Sequence, residues 1–321
     1  MMKKRSIREL YSINKVTEEV FCTNEYGFVM DAFSNQTGDS NQGIKSEWYA
    51  LITECDGDRE RLRKNKQAKY LIYRGIPLSL KYKLWSILTK KSIKVDYASL
   101  IVIKSGYEHQ IHVDVQRTFR KHFLFNKEYG RGQCELFNVL AAYSNYNPDV
   151  GYCQGMSSAA ALLLMYFPEE EAFEMLVGII SSNCLETLFD KKLSKVPSLQ
   201  KAQNQVFEKL IPEIHRHMRI QGVDMGVYAI GWYLTLFTRF DIKLVLRMWD
   251  FFIFFDFSVF VLFAAAILRF FSKRILDLDG EQLIEFIGML DAEPVEVDEI
   301  VSYVVESLEM QDISIIENVL R

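Results

Sequence analysis

One stretch of the chain, residues 248–271, limits the possible folds more than any other, because nearly every side chain in it is apolar. Such a run must be buried, either in a lipid bilayer or in a protein core. Two carboxylates, Asp250 and Asp256, interrupt it, and a carboxylate near the middle of a membrane-spanning helix costs about 2.5–3.5 kcal/mol. Asp256 is followed by Phe257 and Ser258, a pattern typical of a cap that starts a new helix. We therefore expect two buried helices that meet near Asp256 rather than a membrane span.

Elsewhere the chain repeats apolar residues at the spacing of an amphipathic helix. The runs are Leu80, Leu84, Trp85 and Leu88; Ile111, Val115, Phe119 and Phe123; Leu136, Val139, Leu140 and Tyr143; and Ile300, Val301, Val304, Val305 and Leu308. Pro77 and Pro168 stand where helices would begin, and three glutamates follow Pro168, as the helix dipole favours. Alternating runs typical of strands are scarce. The sequence predicts an all-α fold.

Charge and cysteine content exclude several classes of site. The formal net charge is −4, and Lys and Arg are scattered among more numerous acids, which does not favour a nucleic-acid partner. The cysteines are odd in number and form no CxxC pair, so neither a disulfide framework nor a zinc ribbon is expected; they are Cys22, Cys55, Cys134, Cys153 and Cys184. His215 and His217 would point apart on a helix, so no metal site is expected there. The first eleven residues carry basic side chains without the apolar run of a signal peptide.

Three segments place polar residues where a helical pattern has little need of them. They are residues 74–77 (RGIP) with Trp85 downstream, residues 111–118 (IHVDVQRT) and residues 147–156 (NPDVGYCQGM). On a helix Asp114 and Arg117 lie close together, and spacing alone favours a solvated surface ion pair. Gln154 lies between Gly151 and Gly155, so we expect it on a loop. Spacing alone favours a turn amide there, although short glycine-bounded loops also present functional side chains.

The three segments resemble, in order, the signature motifs of the TBC family of Rab GTPase-activating proteins: RGIP with a downstream tryptophan, IxxDxxRT, and YxQ followed by glycine. The likeness continues in residues 232–250, and altogether it covers about residues 70–274. One departure is Lys81, where family members often carry arginine. This departure affects neither Arg117 nor Gln154, the two positions at which the resemblance implies catalytic side chains.

The resemblance implies a large all-α TBC domain with two helical lobes. Residues 1–45 would be an N-terminal extension with a flexible loop at residues 34–43, and residues 46–73 a helical lead-in. Residues 74–190 would form the catalytic N-terminal lobe, and residues 191–321 the C-terminal lobe.

By the same resemblance, Arg117 is an arginine finger and Gln154 a glutamine finger, and together they complete the active site of a Rab-family GTPase in its GTP-bound form. Arginine suits this role because it is planar, permanently charged and able to bond phosphate oxygens. Arg74 and Asp114 would have supporting roles, and Tyr152 would either contact the GTPase or pack inward. The partner would carry GTP and Mg²⁺, so the chain would need no cofactor of its own. The family implies vesicle trafficking, a cytoplasmic location and room for peripheral recruitment to endomembranes.

Two other interpretations of the function remain open. A helical scaffold could bind a GTPase without accelerating hydrolysis, and loss of either finger would indicate it. A thiol hydrolase could use Cys153 with one of the five histidines, His109, His112, His122, His215 or His217. No local pattern ties that cysteine to a base, and cysteine often serves as a small buried hydrophobe.

Overall fold

The computed structural model describes residues 7–11, 23–30, 42–89 and 95–310. The helices in these residues are α1 (Ile7–Tyr11), α2 (Gln42–Glu54), α3 (Arg59–Lys64), α4 (Lys66–Arg74), α5 (Leu78–Leu88), α6 (Tyr97–Val102), α7 (Glu108–Arg117), α8 (Arg131–Tyr146), α9 (Met156–Leu164), α10 (Glu169–Ser182), α11 (Glu186–Phe189), α12 (Val196–Leu210), α13 (Pro212–Ile220), α14 (Met225–Leu234), α15 (Ile242–Phe254), α16 (Val259–Phe270), α17 (Ser272–Leu276), α18 (Gly280–Gly288) and α19 (Val297–Glu309), with a 3₁₀ turn at Leu290–Ala292. Apart from two isolated β-bridges, every regular element of the described residues is helical. The all-α prediction is confirmed.

The chain forms two compact units. The first unit comprises Met1–Lys45 and Pro77–Lys191, and the second comprises Ser46–Ile76 and Lys192–Arg321. Residues 46–73, which the sequence analysis set apart as a lead-in, group with the second unit. Residues 34–41 of the predicted flexible loop lie outside the described residues, as does Cys22, whereas residues 42 and 43, predicted as part of the loop, begin α2.

In the first unit, α8 is the central helix and packs against α6, α7, α9 and α10. Its predicted apolar positions are all buried, from Leu136 to Tyr143. α9 is buried on nearly all sides, as its continuous apolar sequence requires. The predicted start of α5 at Pro77 is confirmed, and its four apolar positions are at most 2% exposed. This core supports α7 and the loop that leads into α9.

The helical run predicted from Ile111 through Phe123 is wrong beyond Arg117. α7 ends at Arg117, Phe119 has a positive φ of 42°, and Phe123 is 44% exposed. The helix ends because Thr118 is extended and its hydroxyl donates to the Asp114 carbonyl at 2.7 Å. The chain then turns, and the side chains that it buries include His122 and Phe125.

In the second unit, α16 packs against α12, α15 and α19. The apolar stretch at residues 248–271 forms two buried helices, with a break after Phe254, as predicted. At the break the Asp256 carboxylate accepts a hydrogen bond from the Ser258 amide at 2.7 Å. None of the described helices is both long and apolar enough to span a bilayer.

Residues 74–76 of the RGIP segment belong to the second unit, where two charged side chains of α15 hold them. The Arg247 guanidinium donates to the carbonyls of Ile72 (3.2 Å) and Tyr73 (2.6 Å), which end α4. The fully buried Asp250 carboxylate accepts from the Ile76 amide at 3.1 Å. Between them lies Gly75, with φ 102° and ψ 156°, a conformation that is essentially restricted to glycine. A Cβ atom there would lie 2.4 Å from Arg247 Nη1.

We expect Gly75→Ala to lower the free energy of unfolding by about 3 kcal/mol, the upper end of the range for backbone strain, because Arg247 must also move. Gly57→Ala is the matched control. Gly57 also has a positive φ, of 65°, but a Cβ there meets nothing within 4 Å, so we expect a loss of about 1 kcal/mol. Denaturant unfolding of both variants measures the difference. Equal losses would contradict the role given to Arg247.

A second prediction concerns His122, whose ring is buried against the segment at residues 23–30. Its Nδ1 accepts from the Leu124 amide at 3.3 Å, so Nε2 carries the proton and donates to the Tyr26 carbonyl at 3.1 Å. Burial lowers the pKa of His122 from 6.5 to about 4. The unfolded chain therefore takes up this proton first as the pH falls, and the folded state loses up to about 3 kcal/mol between pH 6.5 and pH 4.

The measurement is the difference in unfolding free energy between pH 7.5 and pH 4, for the wild type and for His122→Gln. The other titrating groups are common to both proteins, so they cancel in the comparison. We expect this difference to be smaller in the variant by about 3 kcal/mol. The same pH dependence in both proteins would show that the folded ring titrates normally.

Candidate functional site

The last residue of α7, Arg117, presents its side chain outward. The side chain is 58% exposed, and its Nη2 lies 2.6 Å from Oδ1 of Asp114, whose own side chain is only 4% exposed. Beneath this pair, Ile111 and Val115 are fully buried. The pair therefore differs from the solvated surface ion pair that spacing alone favoured, because one member is fixed in the core.

The Asp114 carboxylate has a second partner, Tyr152, whose hydroxyl donates to Oδ2 at 2.5 Å. Tyr152 is 5% exposed. Burial raises the pKa of its hydroxyl, and the hydrogen bond to Asp114 raises it further, so the hydroxyl keeps its proton. A buried carboxylate is tolerated when it is paired and hydrogen-bonded, and here each oxygen has a partner. Asp114 thus links Arg117 to Tyr152.

Gln154 lies two residues after Tyr152 and is exposed, on the loop between α8 and α9. Glycines with positive φ flank it: Gly151 at 68° and Gly155, which caps α9, at 109°. A Cβ atom on Gly151 would lie 2.3 Å from the Tyr107 hydroxyl, so the loop can pack against that ring only with glycine there. The predicted loop position of Gln154 is confirmed.

A second link joins the same loop to the end of α7. The Thr118 hydroxyl is within hydrogen-bond distance of the Ser157 hydroxyl, at 3.1 Å. Both side chains are buried. Tyr152 and Ser157 stand on either side of Gln154, so the loop is held on both sides against the turn that carries Arg117.

Tyr107 and Ser157 were not predicted from the sequence, and no role was predicted for Thr118. The glycines at positions 151 and 155 do predict a loop with unusual backbone angles. They do not indicate which ring or hydroxyl packs against it, because those contacts join residues about 40 positions apart.

Arg74 lies at the end of α4 in the second unit. Its guanidinium pairs with Glu47 at 2.8 Å and lies over the Tyr70 ring, 5.6 Å from the centroid. The supporting role predicted for it beside Asp114 stays a prediction. Lys81 is buried, with its ammonium 5.2 Å from the centroid of the Trp85 ring.

Cys153 lies within this loop but is poorly suited to nucleophilic chemistry. Burial, together with the negative charges of Asp114 and Asp190, raises the pKa of its thiol to about 11. A nucleophilic cysteine needs the opposite shift, since the thiolate is the reactive form. Within the described residues, no group of three or more His, Cys, Asp or Glu side chains is placed to hold a metal ion.

Comparisons with known proteins agree with this fold. A sequence model described as the Rab-GTPase-TBC domain matches residues 78–276. The ecotropic viral integration site 5 ortholog of Drosophila melanogaster is 32% identical over 250 residues, which are 77% of this chain and 31% of that protein. Rab GTPase-activating protein eat-17 of Caenorhabditis elegans is 30% identical, over 76% of this chain and 28% of its own length. The chain thus spans about a third of the length of the curated relatives it matches.

Solved structures share the fold. The TBC domain of a Chlamydomonas flagellar RabGAP aligns with a TM-score of 0.68 at 22% identity, covering 88% of this chain and 99% of that one. The Ypt/Rab-GAP domain of Gyp1p aligns with a TM-score of 0.69 at 16% identity, covering 85% and 100%. The family model matches more than half of the residues of this chain, and the chain therefore belongs to the Rab-GTPase-TBC domain family.

Proposed function

We propose that the chain activates GTP hydrolysis by a Rab-family small GTPase, with Arg117 and Gln154 as the two side chains inserted into the partner's active site. One observation carries the proposal: the buried Asp114 carboxylate links the helix turn of Arg117 to the loop of Gln154 through Tyr152. Two relatives from Caenorhabditis elegans bear the name Rab GTPase-activating protein.

Arg117 supplies the positive charge that a small GTPase lacks. Hydrolysis is slow because charge that develops on the phosphoryl oxygens is not fully neutralised. Asp114 holds one guanidinium nitrogen, and the exposed remainder of the planar fork is free to donate to phosphate oxygens. Because the helix and the ion pair already fix the side chain, less conformational entropy is lost on insertion. An arginine finger accelerates hydrolysis by about 10³ to 10⁵, or roughly 4–7 kcal/mol of barrier.

Gln154 orients the attacking water, a task that the positive charge of Arg117 does not perform. Its amide has both a donor and an acceptor, so it can bond the water and a neighbouring oxygen together. By the family resemblance it acts in place of the GTPase's own glutamine. The glycines at positions 151 and 155 hold this side chain at the surface of the loop.

GTP and Mg²⁺ belong to the partner in this mechanism, and the partner is bound in its GTP form. The chain needs no cofactor of its own. We place its action in the cytoplasm, with peripheral recruitment to endomembranes, where Rab GTPases direct vesicle traffic.

The alternative is a scaffold that binds a GTPase without accelerating hydrolysis. It would need neither an exposed guanidinium nor an exposed amide on the connected turn and loop. The chain has both, so the catalytic function is favoured. Selectivity for one Rab resides in the surface around the fingers rather than in the fingers themselves.

The first test is single-turnover hydrolysis by a panel of purified, GTP-loaded Rabs. Arg117→Lys loses the forked donor, and we expect it to lower the rate of the responsive Rab by about 10³ or more. Gln154→Ala should also lose most activation, because the attacking water is no longer oriented. Both variants should fold, since neither side chain is buried and lysine keeps a positive charge beside Asp114. Cys153→Ser, on the same loop, is the control that keeps full activity; full activity of Arg117→Lys would contradict the mechanism.

A second test isolates the link between Tyr152 and Asp114. Tyr152→Phe leaves a buried carboxylate oxygen without its partner, which should lower stability by about 1–3 kcal/mol and activation by roughly 10- to 100-fold. Tyr97→Phe is the matched control, because its hydroxyl donates to Glu169 at 2.7 Å from a similarly buried position on α6. We expect Tyr97→Phe to lose less stability, because Glu169 is partly exposed and still accepts from Asn138, and to lose no activation, as measured by thermal unfolding and the hydrolysis assay. Equal effects of the two variants on activation would rule out a positioning role for Tyr152.

A further inference from the structure

Two short N-terminal segments, residues 7–11 and 23–30, lie outside the part of the chain that the family model matches, residues 78–276. Both contact α7 or the turn that follows it. α1 packs against α7 and α8, and the second segment pairs with the turn through an antiparallel bridge from Phe28 to His122.

Tyr11 of α1 reaches the last turn of α7. Its ring stacks on Phe137 of α8, with centroids 4.2 Å apart and planes within 9°. Its hydroxyl lies 2.9 Å from Nδ1 of His112 and accepts from Gln116 Nε2 at 3.2 Å. The tautomer of the His112 ring decides which of the two groups donates in this bond. Burial lowers the pKa of His112, which favours the neutral ring.

Gln116 directly precedes Arg117 in the chain. Besides the bond to Tyr11, its amide donates to Gln133 Oε1 at 3.2 Å. Gln133 is fully buried in α8 and donates in turn to the Phe125 carbonyl at 3.1 Å. The Tyr11 hydroxyl is therefore one end of a hydrogen-bonded chain that fixes the side chain next to Arg117.

Arg8 holds the other end of α7. Its guanidinium donates to the carbonyls of Val102 and Ile103, both at 2.7 Å, where α6 ends. Its Nε lies 3.2 Å from Glu108, the first residue of α7. Arg8 and Tyr11 lie one turn apart on α1, so this single turn contacts both the first and the last turn of α7.

The second segment holds the chain just after Arg117. The Val29 amide donates to the Lys121 carbonyl at 2.8 Å, and the Phe123 amide donates to the Gly27 carbonyl at 3.0 Å. The Phe28 ring packs edge-to-face on Phe119, with centroids 6.2 Å apart. The residues before Arg117 and those after it are thus both tied to the N-terminal segments.

We infer that residues 7–11 and 23–30 form a brace that sets the orientation of Arg117, and that Tyr11 is a positioning residue for the arginine finger. The inference rests on the proposed function, since it assigns the brace to the same side chain. Such a brace matters because catalytic activity depends sharply on the position of the catalytic group. An error of about 1 Å in that position can lower the rate 10²-fold. The ion pair with Asp114 fixes the guanidinium relative to α7, and the brace fixes the end of α7 itself, since helix ends fray.

The test uses the full chain with Tyr11→Phe, which removes the hydroxyl and keeps the ring on Phe137. We expect the maximal rate of activated hydrolysis to fall by roughly 10- to 100-fold, with little change in the GTPase concentration that gives half of it. In an Arg117→Ala background the same substitution should have no further effect on the residual rate, because the group that it positions is gone. Tyr97→Phe is the control for loss of a buried hydroxyl and should leave the rate unchanged. A similar loss in both backgrounds would overturn the inference.

Hydrogen exchange tests the brace without any GTPase. Tyr11→Phe should speed amide exchange in residues 114–118 several-fold and leave α10 unchanged. If amide exchange at residues 114–118 is unchanged in Tyr11→Phe, the brace is overturned, even if the chain is shown to activate a Rab. Faster exchange in a chain that activates no Rab would support the brace and reject the proposed function instead.

Discussion

The buried carboxylate of Asp114 is the interaction on which the site depends. An ionised carboxylate in a protein core is tolerated only when partners replace its lost hydration. Here one oxygen pairs with Arg117 and the other accepts from Tyr152, so the need to satisfy one charge brings two elements together. The charged end of the Arg117 side chain therefore lies at the surface, and its ion pair with Asp114 fixes its position. The loop that follows Tyr152 is fixed as well, and it carries Gln154.

The motif residues divide between two physical tasks. In the first unit, Asp114, Arg117, Tyr152 and Gln154 form the site and its support. In the second unit, Gly75 and Ile76 serve the backbone, because Arg247 and Asp250 of α15 need the close approach that only glycine allows. Gly75 and Ile76 of the RGIP segment are thus explained by packing and hydrogen bonding around α15, and the chemistry of the proposed function lies in the first unit.

Helical periodicity predicted much of the fold because burial imposes it. The apolar positions of α5 and α8 are buried as expected, and the break near Asp256 lies where its carboxylate caps the next turn. The prediction of a helix through Phe119 and Phe123 was wrong, since side-chain hydrogen bonds of Thr118 end α7 and periodicity does not show them. For the site, spacing alone favoured a surface ion pair and a turn amide, and the family resemblance supplied the finger roles. The bond from Tyr152 to Asp114 and that from Tyr11 to His112 join residues 38 and 101 positions apart, which no local pattern reveals.

The most direct measurement of the central claim is the affinity of the chain for a responsive Rab that carries GDP and aluminium fluoride, which mimics the phosphoryl group in flight. Transition-state analogues bind about 10² to 10⁸ times more tightly than ground-state ligands when the site is complementary to the transition state. We expect a tight complex with GDP and aluminium fluoride, weak binding with GDP alone, and loss of the difference in Arg117→Ala. Equal affinity for the two nucleotide states, or a tight complex that persists in Arg117→Ala, would contradict the central claim.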